Sequence, residues 1–213
     1  MFGDTSSKIR IIQPIDSRDA ESVETEYKLI RGLSGRDDIL LCGVPVKSWN
    51  DDLSPWRAEA VTGREGFGGG GQETLDRILD TVIPRLDAGY GADAEYYLGG
   101  YSLAGLFALW TSYRTDRFSG VAAVSPSVWY PGWEQFFFGH NTRAKKVYLS
   151  LGDKEENTKN KIMSKVGDAI RKQYRIISSM DGIKCALEWN EGNHFREPEL
   201  RTAKGFAWLI KDE

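Results

Sequence analysis

Short β-rich runs alternate with longer amphipathic segments along almost the whole chain. Six runs have the apolar, β-branched and aromatic content of buried strands: residues 9–12, 39–46, 94–98, 120–124, 146–151 and 185–189. Between most of them, apolar residues recur at the three-to-four spacing of a helix. The clearest helical stripe has six residues that we expect to face the sheet: Leu75, Ile78, Leu79, Val82, Ile83 and Leu86. The alternation predicts a three-layer αβα fold with a mostly parallel sheet of about six strands.

The length and composition indicate one domain over residues 1–213, because 40 % of the residues are hydrophobic and can form a sizeable core. A net charge of −3 and the lack of a basic cluster argue against nucleic acid and anionic membrane surfaces as partners. The amino terminus lacks the basic and apolar regions of a signal peptide. We therefore expect a soluble, cytoplasmic protein in which Cys42 and Cys185 are buried, reduced thiols.

One serine lies between small residues at the junction of a predicted strand and a predicted helix. Residues 99–106 read Gly-Gly-Tyr-Ser-Leu-Ala-Gly-Leu, so that Gly100 and Ala104 flank Ser102 at two residues on either side. A sharp strand-to-helix turn brings neighbouring backbones together, and only small residues fit at those positions. The pattern predicts a nucleophile elbow with Ser102 at its tip.

A serine hydroxyl needs a neighbouring base, and that base needs a third group to orient it. The chain has two histidines, and we favour His194 over His140 because it follows the last predicted strand. Any of three carboxylates after the preceding strand could orient the imidazole: Asp153, Glu155 and Glu156. The order of serine, acid and histidine along the chain is that of the α/β-hydrolases.

The oxyanion formed by attack of Ser102 on a carbonyl needs preorganised donors. The motif supplies the backbone N–H of Leu103, and the second donor is expected after the first sheet strand, at Asp16 or Ser17.

Two aromatic and glycine-rich segments, residues 47–71 and 129–138, interrupt the strand and helix pattern. Their aromatic residues either belong to the core or line a pocket for an aromatic or acyl group, with Trp56, Trp129 and Trp133 as the candidates. The glycine cluster of residues 66–71 is not a phosphate loop, because the Lys and Ser or Thr that such a loop needs do not follow it.

Residues 100–109, 125–129, 152–155 and 192–194 together resemble the putative-esterase branch of the α/β-hydrolase superfamily, which includes enterochelin esterases and esterase D-like enzymes. The resemblance implies an α/β-hydrolase fold and a serine carboxylesterase that acts on a small-molecule ester without a metal or organic cofactor. It also selects Glu155 as the acid. The chain departs from the family pattern in Ala104 for glycine, in a glutamate for the commoner aspartate, and in Asp16-Ser17 for Asp-Gly.

The sequence therefore predicts a serine hydrolase in which Ser102 is the nucleophile, His194 the general base and Glu155 the orienting acid. A thioesterase or an acyltransferase would use the same three residues. A binding protein that keeps the fold without turnover is the alternative from another functional class.

Overall fold

The computed structural model describes residues 1–16, 20–61 and 63–211 of the chain. This part forms nine strands: β1 (Phe2–Gly3), β2 (Ile9–Ile15), β3 (Leu40–Pro45), β4 (Arg57–Ala58), β5 (Phe67–Gly68), β6 (Glu95–Tyr101), β7 (Gly120–Val124), β8 (Lys146–Gly152) and β9 (Lys184–Asn190). The α-helices are α1 (Ala20–Ser34), α2 (Trp49–Asp52), α3 (Gly71–Arg77), α4 (Ile83–Tyr90), α5 (Leu103–Thr111), α6 (Trp133–Phe138), α7 (Val166–Ser178) and α8 (Pro198–Ile210). A π-helical turn over Ile78–Val82 joins α3 to α4, and a 3-10 turn over Met163–Lys165 leads into α7.

The main sheet has seven strands in the order β1-β3-β2-β6-β7-β8-β9. All neighbours pair in parallel except β1, which pairs antiparallel with β3 through two residues. The prediction of a mostly parallel sheet is confirmed, and β1 is the additional strand. The chain runs from β2 outward to β3 and then returns to the other side of β2 to form β6. In an open parallel sheet, ligands bind at such a reversal, beyond the carboxyl ends of the two strands.

Helices cover both faces of the sheet. On one face, α1 and α8 pack together over a cluster that includes Ile30 and Phe206. On the other face lies a larger cluster, to which α5 contributes Phe107 and α7 contributes Ile170. All four side chains are fully buried. Burial on both sides explains why the central strands are almost entirely apolar, and the three-layer αβα prediction is confirmed.

The amphipathic stripe between β5 and β6 differs from the prediction in one respect. Four of its six residues are buried, whereas Leu79 and Val82 are only partly buried at the border of the core. The π-helical turn spans both residues, and its wider turn changes the phase of the side chains relative to a regular α-helix. Periodicity alone could not reveal this shift.

The glycine cluster at residues 66–71 serves close packing. Gly69 has a φ of 84°, and a Cβ added there would lie 2.5 Å from the backbone nitrogen of Arg57. A Cβ on Gly71 would lie 2.7 Å from the carbonyl oxygen of Ser54. These glycines let the segment fold back on itself, which accounts for the cluster without a phosphate ligand.

Cys42 is buried and Cys185 is partly buried, and neither forms a disulfide. The expectation of two buried thiols is therefore correct for Cys42 only. In the described ranges, no helix is both long and apolar enough to cross a membrane. The assignment of residues 1–213 to one domain stays a prediction.

Candidate active site

Ser102 occupies the turn between β6 and α5. Its backbone has a φ of 59° and a ψ of −117°, a conformation that side chains rarely adopt. The turn is as tight as the sequence predicts, because a Cβ on Gly100 would lie 2.6 Å from the Cβ of Ala104. The Ser102 N–H donates to the carbonyl oxygen of Val124 at 3.0 Å, which anchors the strained residue to the neighbouring strand β7. The surrounding structure thus holds the serine at the carboxyl edge of the sheet.

Three side chains from separate parts of the chain form a continuous hydrogen-bonded series. The distance from Ser102 Oγ to His194 Nε2 is 3.0 Å, and that from His194 Nδ1 to Glu155 Oε2 is 2.7 Å. The imidazole lies in the loop between β9 and α8, and the carboxylate lies in the loop after β8. The side chain of Glu155 is 5 % exposed and that of His194 is 29 % exposed. Substrate can therefore reach the histidine, while the carboxylate is shielded from water.

Several donors support the buried carboxylate of Glu155. Its Oε1 accepts hydrogen bonds from the Ser125 hydroxyl and the Gly152 N–H, both at 2.7 Å, and from Arg201 Nη1 at 3.2 Å. Burial by itself raises the pKa of this carboxyl. The hydrogen bond and the charge of His194 lower it, as do the hydrogen bonds from Ser125 and Gly152, and together they outweigh the effect of burial. The net result is a pKa below the ordinary value of 4.5. Glu155 is therefore ionised at neutral pH.

The other candidate acids and the other histidine lie elsewhere. Asp153 accepts the Gly192 N–H at 2.7 Å and so braces the loop that carries His194. Glu156 pairs with Arg171 at 3.0 Å. His140 stacks on the ring of a neighbouring phenylalanine and contacts its carbonyl oxygen, away from Ser102. The structure thus brings together Ser102, Glu155 and His194.

Three residues around this series were not identified by sequence reasoning as parts of the site: Tyr101, Ser125 and Arg201. The Tyr101 hydroxyl donates to the carbonyl oxygen of His194 at 2.7 Å, and the two rings lie 5.2 Å apart. Burial raises the pKa of Tyr101, which keeps this donor protonated at neutral pH. Arg201 is 2 % exposed and also donates to the Tyr101 hydroxyl, at 3.1 Å. An arginine on the buried face of the last helix is the sequence signal that could have revealed this network.

The oxyanion donors are only partly described. Leu103 is the first residue of α5, and the first N–H groups of a helix have no partner within it. Its N–H is therefore free to donate beside Ser102. Asp16 directly follows β2 and is partly buried, whereas Ser17 lies outside the described residues. The assignment of a second donor to either residue stays a prediction.

A cleft of about 180 Å³ opens beside His194, and we refer to it as the Trp129 cleft. Its walls come from four segments of the chain and comprise Trp129, Lys154, Glu155, Asn157, Thr158, Met163, Val166, Asn193, His194 and Phe195. Among them, Phe195 is 85 % exposed. Most of the exposed wall area is apolar, and Trp129 belongs to the walls; its assignment to a substrate pocket stays a prediction.

The other two tryptophans lie in a different environment. Trp133 is fully buried, and its indole N–H donates to Gln173 at 2.9 Å inside the core. The indole N–H of Trp56 donates to the carbonyl oxygen of Pro131 at 2.9 Å, and its ring stacks on Trp133. Neither residue borders the Trp129 cleft. The expectation that they line a substrate pocket is wrong for Trp133, and Trp56 attaches the segment of residues 47–71 to α6.

A second cleft, of about 200 Å³, opens on the other side of Ser102, and we refer to it as the Gln13 cleft. Its walls come from β2, α1, α2, the elbow and the start of α8, and comprise Gln13, Pro14, Ser22, Glu26, Trp49, Tyr101, Ser102, Pro198 and Glu199. It lies at the reversal of strand order between β2 and β6. Ser102 therefore borders the Gln13 cleft, and its partner His194 borders the Trp129 cleft.

The sequence profile of a family described as "Putative esterase" matches residues 24–196, which include Ser102, Glu155 and His194. The chain belongs to this family. It is accordingly an enzyme of the hydrolase class that acts on esters. No curated protein matches this esterase in sequence.

Solved structures similar to this esterase confirm the α/β-hydrolase fold. An IroE-like serine hydrolase from Shewanella oneidensis has a TM-score of 0.78 and 17 % identity, with 96 % of this chain and 71 % of that chain covered. The siderophore hydrolase EstB from Aspergillus nidulans has a TM-score of 0.73 and 18 % identity, with coverages of 97 % and 83 %. The BES protein from Bacillus cereus has a TM-score of 0.69 and 16 % identity, with coverages of 98 % and 85 %. At these identities, the likeness establishes the fold.

Proposed function

We propose that this esterase cleaves a carboxylic ester through an acyl-enzyme, with Ser102 as nucleophile, His194 as general base and Glu155 as the residue that orients the imidazole. The observation that carries the proposal is the unbroken series from Ser102 Oγ through His194 to Glu155, with distances of 3.0 and 2.7 Å. Both lie within the range that proton transfer and orientation require.

In the first half of the reaction, His194 Nε2 takes the Ser102 proton as the oxygen attacks the ester carbonyl. The resulting oxyanion faces the Leu103 N–H at the start of α5, where the helix dipole also favours negative charge. His194 then gives its proton to the leaving alcohol, and the acyl group stays on Ser102. In the second half, water attacks the acyl-enzyme with the same base, which releases the acid and restores the serine.

Glu155 contributes by fixing the imidazole and by stabilising its charged form. Its two oxygens have separate partners: Oε2 contacts His194, whereas Oε1 accepts from Ser125, Gly152 and Arg201. Since the pKa of Glu155 is lowered, the carboxylate stays ionised while the imidazole gains and loses its proton. The orientation of His194 therefore does not depend on the stage of the reaction.

The Trp129 cleft is the site for the leaving alcohol. His194 must reach the leaving oxygen to protonate it, and His194 borders this cleft. The mainly apolar walls, with Trp129 and Phe195, suit an aromatic alcohol. We therefore expect aryl esters to be better substrates than ethyl esters of the same acid.

Steady-state kinetics on phenyl and ethyl esters tests this function. Ser102→Ala should lower kcat by about 10⁵-fold or more, and Glu155→Ala by about 10³ to 10⁴-fold. Asp153→Ala is the matched control, because it removes a neighbouring carboxylate that does not contact the imidazole, and should stay within about tenfold of wild type. Equal activity of wild type and Ser102→Ala would refute the mechanism, and a larger loss in Asp153→Ala than in Glu155→Ala would refute the choice of acid.

Siderophore esters belong in the same substrate panel, because two of the similar folds are those of siderophore hydrolases from Aspergillus nidulans. Thioesters belong there as well, since an acyl-enzyme forms from either class of substrate. The ratio of kcat/KM between the classes decides which one this site favours.

A further inference from the structure

The Gln13 side chain has a buried amide oxygen without a hydrogen-bond donor. It lies near the end of β2, next to β6 in the sheet, and is 6 % exposed. Within the ranges that the structure describes, its Oε1 has no donor. A buried polar group left unpaired destabilises the folded protein, so a ligand that pairs with the group is a physical reason for its presence.

This unpaired amide belongs to the wall of the cleft that contains Ser102. Gln13, Tyr101 and Ser102 all border the Gln13 cleft. Across the same cleft, the Ser22 hydroxyl donates to Glu199 at 3.4 Å, so that α1 and α8 contribute further polar groups to it. The unpaired Gln13 oxygen therefore lies in the same cleft as the nucleophile.

The position of the base assigns the two clefts to the two halves of an ester. His194 borders the Trp129 cleft, which holds the leaving alcohol, whereas the Gln13 cleft borders Ser102 itself. The acyl group that remains on Ser102 after the alcohol leaves therefore points toward Gln13. Like the Trp129 cleft, of about 180 Å³, the Gln13 cleft has a volume of about 200 Å³, which is below the usual range of ligand pockets, so each half of the ester should be small.

We infer that the Gln13 cleft is the acyl site and that Gln13 selects a short acyl chain carrying a hydroxyl group. A hydroxyl group can donate to the unpaired Oε1 of Gln13, which is an acceptor. The inference rests on the proposed acyl-enzyme mechanism. The ester C–O bond breaks, the Ser102 proton leaves with the alcohol through His194, and water later releases the hydroxy acid. Gln13 itself takes no proton and forms no covalent bond in these steps.

The test compares kcat/KM for phenyl 3-hydroxybutyrate and phenyl butyrate, which differ only in the hydroxyl. Wild type should prefer the hydroxy ester by about tenfold or more, the usual effect of pairing a buried polar group. Gln13→Met keeps the approximate length of the side chain and should bring the ratio of kcat/KM for the two esters close to one. Gln135→Met is the matched control, because Gln135 is exposed on α6, and it should keep the wild-type preference.

A stability measurement separates a substrate-binding role from a structural one. Because Gln13→Met removes an unpaired buried oxygen, its midpoint of urea unfolding should equal or exceed that of wild type. A lower midpoint, with the preference intact, would overturn the inference. If Gln13→Met does not fold, Gln13→Glu serves instead, and it should change the ratio between the two esters.

The failure of this inference can be told apart from the failure of the proposed function. Hydrolysis of both esters by wild type at equal kcat/KM would overturn the assignment of Gln13 and leave the mechanism standing. Hydrolysis of neither ester, together with no labelling of Ser102 by a fluorophosphonate, would overturn the mechanism and the inference with it.

Discussion

Replacement of Arg201 by methionine should destabilise the protein through the carboxylate that it leaves behind. Arg201 donates to Glu155 at 3.2 Å and to the carbonyl oxygen of Glu191 at 2.8 Å, and both members of the Arg201–Glu155 pair are at least 95 % buried in their side chains. Removing one partner of a buried ion pair costs about 3 to 5 kcal/mol. Because Ser125 and Gly152 still donate to Glu155, we expect the free energy of unfolding to fall by about 3 kcal/mol, the lower end of that range.

The assay is equilibrium urea unfolding at neutral pH of wild type, Arg201→Met, Glu155→Gln and the double variant. In Glu155→Gln the buried group carries no charge, so loss of Arg201 should matter less there. The double variant should therefore lose less stability than the two single variants added together, by about 1 kcal/mol or more. Arg201→Lys is the conservative control. Lysine keeps the positive charge but not the forked geometry of arginine, so Arg201→Lys should lose less stability than Arg201→Met.

The effect of Arg201→Met should also depend on pH, with a sign that follows from Glu155. The pKa of Glu155 is below 4.5 in the folded protein, so its ionised form contributes stability above pH 4.5 that is lost as the pH falls through the folded value. Without Arg201 this contribution is smaller, and the difference from wild type should therefore be largest near neutral pH and shrink in acid. If Arg201→Met lost less than about 1 kcal/mol of stability, or if the loss did not change with pH, the coupling of Arg201 to Glu155 would be refuted.

Three further predictions concern strain at the elbow and the two tryptophans of the 129–138 segment. Ser102→Gly should be more stable to urea than Ser102→Ala by about 1 kcal/mol, because glycine adopts the φ of 59° without strain, and equal stability would show that the elbow is unstrained. Trp133→Ala should lower the free energy of unfolding by about 3 to 5 kcal/mol, since it empties a fully buried site. Trp129→Ala should instead raise KM for phenyl esters with a much smaller loss of stability; the reverse pattern would contradict the assignment of the cleft.

The parts of the fold that the sequence predicts are those encoded locally. Each of the six predicted strands is rich enough in apolar, β-branched or aromatic residues to be identified, and the elbow is recognisable because Gly100 and Ala104 must be small at fixed distances from Ser102. The edge strand β1 has only two paired residues, and the π-helical turn keeps an apolar spacing close to that of an α-helix. Neither leaves a periodic signal from which it could be predicted.

The parts of the site that the sequence does not predict depend on contacts between distant segments. Arg201 joins the site because α8 brings it back to the loop that carries Glu155, 46 residues earlier in the chain. Trp129 and Trp133 are both aromatic and only four residues apart, yet one borders a cleft and the other lies in the core. Sequence reasoning identifies the aromatic segment, but the orientation of each ring is set by what packs against it.

Intact-mass labelling with a fluorophosphonate probe tests the central claim, that Ser102 is an activated nucleophile, most directly. The account predicts a single adduct on wild type and on Ser127→Ala, and none on Ser102→Ala. Ser127 is the matched control because its hydroxyl lies 3.4 Å from that of Ser102 without contacting His194 in the hydrogen-bonded series. An adduct that persists in Ser102→Ala, or the absence of any adduct on folded wild type, would contradict the account.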